Sequence, residues 1–172
     1  MRKYLYIGLI ALGMVFTSCS KDDDSAGAKA EKEWIKFVQK HLIGEWTPYQ
    51  IEVKPLIGAA VFNTPYHHKA NCNKDKLLLK DDFTGMFNKS VENCVLASTN
   101  FKWNHKLGEL SFTLQDGTEV QTILLKKSEK VLVLALPAKA VKPYLIPLFP
   151  EIEHLEHSQL SKLFANIILV KE

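Results

Sequence analysis

The stretch ELSFTLQDGT, residues 109–118, decides the fold class of this chain. Leu110, Phe112 and Leu114 alternate with polar residues, and this period of two is typical of a strand with one buried face. Asp116-Gly117 follows and supplies the positive φ angles of a tight turn, after which a second β-like run begins. The stretch therefore predicts an antiparallel β-hairpin.

Similar short runs, separated by turn signals, lie on both sides of this hairpin. We predict strands at residues 45–54, 76–80, 85–89, 98–104, 109–115, 118–126 and 130–136, and a last strand at residues 167–170. Many short strands with short connections are typical of a sandwich or a barrel. We expect the last strand to pair near the first and close the sheet, because closure removes exposed strand edges.

One helix is expected on each side of these strands. Apolar residues recur at helical spacing over residues 28–42, and Gly44 is suited to end that helix. A second amphipathic helix is expected over residues 151–164, after a proline-containing approach. The run at residues 131–136 is apolar at every position, so both of its faces should be covered. The second helix is the expected cover.

The N-terminus has the pattern of a secretory signal. Two basic residues precede an apolar run over residues 4–16, which is shorter than the roughly 20 residues of a membrane-spanning helix. The junction Thr17-Ser18-Cys19 resembles the bacterial lipoprotein box. The resemblance implies cleavage before Cys19, acylation of the Cys19 thiol, and membrane attachment through the acyl chains.

The residues after Cys19 bear on where the protein is located. Lys21 followed by the acidic run at residues 22–24 is similar to the export tag of outer-membrane lipoproteins in some Gram-negative bacteria. This similarity favours a location in the cell envelope at the outer membrane, with surface display preferred to a periplasm-facing position. Because an ordinary solvated linker is also acidic, surface display and the periplasm-facing position both stay open. The chain is thus divided into a signal peptide (1–18), a lipidated flexible tether (19–29) and one folded domain (30–172).

The net charge limits the classes of binding partner, and the cysteine content predicts a disulfide. The formal net charge is +3, and loss of Arg2 and Lys3 with the signal leaves +1, so no nucleic-acid partner is expected. With Cys19 acylated, Cys72 and Cys94 remain, and an even pair outside the cytosol predicts a disulfide.

We assign no catalytic residue, metal ligand or cofactor. The chain has neither a G-x-S-x-G elbow nor a free cysteine matched with a histidine and an acid. His154 and His157 would share one helix face at i, i+3 spacing, but no further ligands complete a zinc set. We expect binding rather than catalysis; an enzyme inhibitor or a hydrolase is an alternative that rests on fold analogy alone.

Two features resemble known proteins. Gly44-Glu45-Trp46 matches the G-x-W signature of lipocalins, whose tryptophan packs across the closed end of an eight-stranded barrel. Residues 42–136 resemble the lipocalin-like domain of small bacterial lipoproteins, which has a first cysteine just before a strand (Cys72), a second further on (Cys94), and a Trp-bearing strand (Trp103) before a Gly turn. The lipocalin T-D-x-x-Y signature is absent.

The resemblance implies a mainly β fold, an antiparallel up-and-down barrel of about eight strands, with an N-terminal helix and a C-terminal helix packed outside. No arginine lies near the last strand to cover Trp46, and Lys171 is the nearest substitute.

Such a barrel implies the binding or transport of a small hydrophobic ligand, with Phe87, Trp103 and Phe112 as candidate lining residues. The alternative is a solid barrel that acts as an adaptor for an envelope protein through the apolar segment 141–150. An interior above roughly 300 Å³ would favour the carrier, and a filled interior would favour the adaptor.

Overall fold

A computed structural model describes residues 26–171, without the side chains of residues 126 and 127. The predicted signal peptide and Cys19 lie outside this range. The helices are α1 (Ala26–Phe37), continued by a π-helical turn (Val38–Leu42), α2 (Lys142–Leu145) and α3 (His157–Leu160). The strands are β1 (Gly44–Pro55), β2 (Phe62–Pro65), β3 (Lys76–Leu79), β4 (Thr84–Ser90), β5 (Leu96–Lys106), β6 (Glu109–Leu114), β7 (Glu119–Lys127), β8 (Val131–Pro137) and β9 (Leu163–Val170).

The strands form one closed antiparallel sheet. Each strand from β3 to β8 pairs with the next one along the chain, and β1 pairs with both β3 and β9. The β1–β9 ladder is long, running from Thr47↔Val170 to Pro55↔Leu163. The predicted fold class is confirmed: eight strands close an up-and-down barrel, and β2 is an additional strand.

Strand β2 makes the barrel wall fork. β1 pairs with β3 over Gly44–Trp46 and with β2 over Gln50–Val53, while β9 occupies the opposite edge of β1. β3 and β2 therefore pair with successive parts of the same edge of β1. They are separated by a gap between Trp46 and Gln50, which we call the fork. Residues 66–75 connect them and fill the space between them; we call this segment the strap.

Helix α1 covers one end of the barrel. Trp34, Val38 and Leu42 are buried in a core cluster with Trp46 at the start of β1 and Leu132 at the start of β8. Helix α1 begins its described part at Ala26, so residues 26–29 of the predicted tether are helical. The apolar residues whose spacing predicted this helix therefore form the face that closes this end of the barrel.

The connection from β8 to β9 covers the opposite end. We call residues 138–162 the cover segment; its buried side chains pack against the inward-facing Val53 of β1 and Ala165 of β9. These side chains are Ala138, Leu145, Phe149, Ile152 and Leu160.

The single helix predicted over residues 151–164 is wrong. Residues Pro150–His154 form a 3₁₀ turn, Leu155 is extended, and α3 is a separate short helix. The break has a local cause, because Glu156 and Gln159 form a capping box that starts a new helix. β9 already begins at Leu163, where the predicted helix still continued.

The predicted two-sided cover of the β8 strand is only partly present. Leu132, Leu134 and Leu136 are buried on the inner face, and Ala135 is buried on the outer face. Val133, also on the outer face, is only half-buried. The cover segment lies at the barrel end and not over this outer face, since its core contacts are with Val53 and Ala165.

Candidate functional site

A cavity of about 340 Å³ lies inside the barrel. All eight strands of the closed sheet contribute to its wall, and the strap adds Tyr66. Its apolar lining includes Ile51, Leu77, Phe87, Phe112, Leu134 and Ile167. The interior is therefore not filled by side chains.

The strand registers explain why these side chains converge. Ile167 pairs with Ile51 on one side and with Leu134 on the other, so three aliphatic side chains from β1, β9 and β8 lie at one level. Leu77 of β3 pairs with Phe87 of the adjacent strand β4. Because side chains in a strand alternate between its faces, such pairs place apolar groups side by side on the inner wall.

Polar side chains on the wall are few, and the hydroxyl groups of Tyr66 and Thr122 are already hydrogen-bonded. The Tyr66 hydroxyl donates to Oδ2 of Asp75 at 2.7 Å, and the Thr122 hydroxyl donates to the Leu110 carbonyl at 3.0 Å. Burial raises the pKa of the Tyr66 phenol, and the hydrogen-bonded Asp75 carboxylate raises it further, so this hydroxyl remains a donor at neutral pH. The part of the wall that the structure describes includes no charged side chain. It offers mainly apolar contact.

The cavity reaches solvent along the first half of β5. Thr99 lines the cavity and is exposed, and residues 96–100 are exposed on both faces of the strand. The cover segment shields the side of the barrel formed by β1 and β9. The cavity is thus a sheltered pocket with one exposed side.

Two of the three predicted lining residues, Phe87 and Phe112, lie on the cavity wall. Trp103 does not, and that prediction is corrected. It lies nearer the α1 end, buried against Phe83, and its indole N–H is shared between the carbonyls of Lys80 at 3.2 Å and Thr84 at 3.1 Å. Trp103 faces inward as expected, but at a level where the interior is packed solid.

Sequence reasoning missed most of the remaining wall. The inward positions of β1, β8 and β9, such as Ile51, Leu134 and Ile167, follow from strand alternation once the strand bounds are known. Tyr66 carries no comparable signal, because it lies in the strap and not in a strand. Its place in the wall depends on the fork, which only the pairing of β1 reveals.

The G-x-W residues lie at the α1 end, away from the cavity. Trp46 is completely buried, and its indole N–H donates to the Leu42 carbonyl at 2.7 Å. The Lys171 ammonium lies 4.7 Å from the centre of the Trp46 ring and donates to the carbonyls of His41 and Ile43. Burial lowers the pKa of Lys171.

Gly44 has a φ of 122°, a conformation that residues with a Cβ rarely adopt. A Cβ at this position would lie 3.5 Å from the Lys171 Nζ. That distance is an ordinary van der Waals contact, so the backbone conformation, and not a lack of space, favours glycine at this position.

Cys72 and Cys94 form a disulfide. It joins the strap to the 3₁₀ turn Glu92–Cys94, which connects β4 to β5. The Ser90 hydroxyl adds a second link to the strap, donating to the Asn73 carbonyl at 2.7 Å. The C-terminal half of the strap is therefore tied to the β4–β5 connection.

His154 and His157 do not share a helix face, since they belong to the 3₁₀ turn and to α3 respectively. Between residues 26 and 171, no three His, Cys, Asp or Glu side chains are grouped in a way that could hold a metal ion. Within the same range, no helix combines the length and the apolar character needed to cross a bilayer.

The apolar segment 141–150, on which the adaptor hypothesis depends, has both buried and exposed side chains. Leu145 and Phe149 are buried in the cover segment, whereas Tyr144 is 77% exposed and Leu148 is 37% exposed. Packing on the barrel end therefore explains only part of the apolar character of this segment, and the adaptor hypothesis stays a prediction.

Comparisons with known proteins give similar solved structures but no match to a family model or a curated protein. The chain is similar in structure to a lipocalin-like protein from Bacteroides uniformis, with 12% identity, 76% of this chain and 98% of that one covered, and a TM-score of 0.46. It is also similar to an uncharacterized protein from Bacteroides eggerthii (8% identity, 75% and 98% covered, TM-score 0.44) and to lobster apocrustacyanin A1 (12%, 83% and 68%, 0.44).

Because these sequence identities are 12% or less and the TM-scores are below 0.5, the fold assignment rests on the sheet topology of the chain itself. The closed antiparallel sheet and its hollow interior define the class: a small up-and-down β-barrel protein with an internal apolar cavity.

Proposed function

We propose that this barrel binds a small hydrophobic molecule in its interior cavity. The observation that carries the proposal is the space of about 340 Å³ walled by apolar side chains from every strand of the closed sheet. Sites for small molecules occupy roughly 300–1,000 Å³ and are lined mainly by apolar and aromatic groups. The cavity fits the lower part of that range, so the expected ligand is compact.

The state of the polar wall groups supports an apolar ligand. Tyr66 and Thr122 use their hydroxyl protons within the protein, so the wall has few donors left for a ligand. Affinity would then come from apolar surface removed from water, at about 25 cal/mol per Å². A ligand that needs several buried hydrogen bonds would lose the bonds it makes with water and gain few in return.

We also infer that the domain works at the cell envelope, held to the membrane through acylated Cys19. The secretory pattern before Cys19 supports this proposal, as does a disulfide, which persists in an oxidising compartment. Cys19→Ala should release the protein into soluble fractions or leave its signal uncut. Unchanged electrophoretic mobility together with unchanged membrane retention would refute the anchor.

The ligand proposal is tested with the delipidated domain and a panel of fatty acids, alcohols and fluorescent apolar probes. We expect at least one probe to gain fluorescence and be displaced by a panel member, with a rise in melting temperature. No fluorescence gain, no displacement and no thermal shift across the panel would contradict the proposal.

A cavity-filling variant locates the binding. Val120 lines the cavity, so Val120→Phe should reduce affinity about tenfold or more by occupying ligand space. Val61→Phe makes the same chemical change at a position that is 56% exposed and outside the cavity wall, and should leave affinity unchanged. Equal affinities in both variants would place the probe elsewhere on the protein.

A further inference from the structure

The fork in the barrel wall lies directly beside the cavity. Pro48 and Ile51 of β1, Leu77 of β3 and Phe87 of β4 all line the cavity, and they flank the space between β2 and the β3–β4 pair. Tyr66 of the strap lines the cavity between them. The side chain of Tyr66 therefore completes the wall where the strands diverge.

Side chains close the wall at the fork, in place of a strand ladder. The Tyr66 hydroxyl donates to Oδ2 of Asp75, and the Ser90 amide of β4 donates to Oδ1 of Asp75 at 2.8 Å. His68 bridges the other side: its Nδ1 accepts from the Asp75 amide at 3.0 Å, and its Nε2 lies 3.0 Å from the Pro48 carbonyl. Opening the wall at the fork breaks a few side-chain contacts. Separating β1 from β9 would instead break a ladder that runs from Thr47 to Pro55.

We propose that the strap is a gate into the cavity, with Tyr66 as the gating side chain and Asp75 as its latch. The proposal rests on the proposed ligand-binding function and adds a route of entry to it. The ring of Tyr66, packed 4.9 Å from that of His68, fills the fork when the latch is closed. Release of the Tyr66–Asp75 hydrogen bond lets the ring leave the fork, and an apolar ligand passes between β2 and β4.

The anchors of the strap limit which part moves. Its middle is fixed to the β4–β5 connection through Cys72–Cys94, and Asn73 is bonded to Ser90. The backbone amide of Tyr66 donates to the Tyr49 carbonyl at 2.8 Å, so its main chain stays attached to β1. The moving part is therefore the Tyr66 side chain together with residues 67–71, and opening also breaks the contacts of His68 with the Pro48 carbonyl and the Asp75 amide.

Tyr66→Phe is the direct test, because it removes the latch hydrogen bond and keeps the apolar ring. A hydrogen bond to a charged group contributes about 1.5–3 kcal/mol, so we expect the association and dissociation rates of an apolar fluorescent probe to rise together by about tenfold or more. The dissociation constant should change less than threefold, since the wall keeps its shape. Tyr144→Phe removes the same hydroxyl from a 77% exposed tyrosine and should leave both rates unchanged.

The exposed side of the cavity beside Thr99 is the competing route. Ala97 is exposed, lies two residues before Thr99 on the same face of β5, and is outside the cavity wall, so Ala97→Trp obstructs that side without filling the cavity. It should leave probe kinetics within about twofold if the fork is the entrance. Unchanged rates in Tyr66→Phe, or a strong slowing by Ala97→Trp alone, would overturn the gate and leave ligand binding intact. A rise in the dissociation rate alone would also overturn it, since Tyr66 would then be an ordinary binding contact.

Amide hydrogen exchange tests the gate without any ligand, and so separates its failure from that of the binding proposal. In the wild-type protein the amides of Asp75 and Ser90, which are bonded only to side chains of the latch network, should exchange faster than ladder amides of β9. Tyr66→Phe should accelerate them further and leave β9 unchanged. Exchange as slow as that of β9 in both proteins would show that the strap does not open.

Discussion

At the α1 end of the barrel, three buried tryptophans each place an indole N–H on an acceptor. Trp34 donates to Nδ1 of His105 at 2.9 Å, Trp46 donates to the Leu42 carbonyl, and Trp103 donates to the carbonyls of Lys80 and Thr84. At the other end, the cover segment buries aliphatic and phenylalanine side chains from two four-residue helices, a 3₁₀ turn and the residues between them. A cavity of about 340 Å³ lies in the barrel interior at this end.

This difference assigns stability mainly to the α1 end of the barrel and the proposed binding function to the cavity end. Large, buried aromatic groups with satisfied donors form the core of the α1 end. The cavity end loses the contacts that its empty space would otherwise provide, and a ligand would restore them. We therefore expect substitutions at the α1 end to reduce mainly stability, and those at the cavity end to change binding or exchange.

Trp46→Ala should have the largest effect. Removing a completely buried tryptophan costs about 3–5 kcal/mol, which is much of the stability of a domain this size. Tyr49→Ala, in the same strand but at a 60% exposed position, should cost less than about 1 kcal/mol. Urea unfolding measures both, and equal costs would show that the α1 end is not the stabilising one.

Replacing Cys72 and Cys94 together with serine should come next, at about 3 kcal/mol, because the disulfide closes a loop with a sequence separation of 22 residues. A reductant should lower the unfolding midpoint of the wild-type protein and leave that of the double variant unchanged. If oxidised wild type and double variant unfold at the same urea concentration, the disulfide does not stabilise the cavity end.

Much of the barrel could be predicted from the sequence because its strands keep a clear alternation. The hairpin between β6 and β7 and the pairing of the last strand with the first are confirmed. The turn itself differs from the prediction, because Gly117 has a positive φ but Asp116 does not. β2 was missed, since Phe62–Pro65 is only four residues long and half exposed. The region before β9 was misassigned because an apolar spacing that suits one helix equally suits two short turns packed on a barrel end.

The site was less predictable than the fold. Phe87 and Phe112 were identified because they alternate inward, but alternation does not say at which level the interior is filled, and Trp103 lies at a filled level. Tyr66 and Asp75 are nine residues apart in a loop, and nothing in their spacing indicates a hydrogen bond. Such contacts depend on where the fork places the strap.

Lys171→Met sharpens the comparison within the α1 end. It removes the ammonium from the Trp46 ring and leaves the carbonyls of His41 and Ile43 without their donor, which we expect to cost about 1–2 kcal/mol. The exposed Lys139→Met is the matched control and should be neutral. Lys171→Arg should retain most of the stability, because a guanidinium also donates and stacks on indole. Loss of stability in Lys171→Arg equal to that in Lys171→Met would contradict this role.

The smallest effect expected is an acid-dependent weakening of the α1 end. Burial lowers the pKa of His105, whose Nδ1 must stay unprotonated to accept from Trp34. Between this lowered value and the ordinary histidine pKa of about 6.5, the unfolded chain binds more protons than the folded one, so the contribution is complete above pH 6.5 and is lost as the pH falls.

The cost should stay below about 1 kcal/mol, because the His105 ring is partly exposed and solvent screens its charge. Melting temperatures from pH 7.5 to 5.5 measure it. His105→Gln keeps an acceptor for Trp34 but does not titrate, so its melting temperature should fall less over this range than that of the wild type. His67→Gln, at an exposed histidine, should keep the wild-type slope. If His105→Gln shows the wild-type slope too, the acid sensitivity arises elsewhere, and α1 is held by the packing of Trp34 rather than by its hydrogen bond.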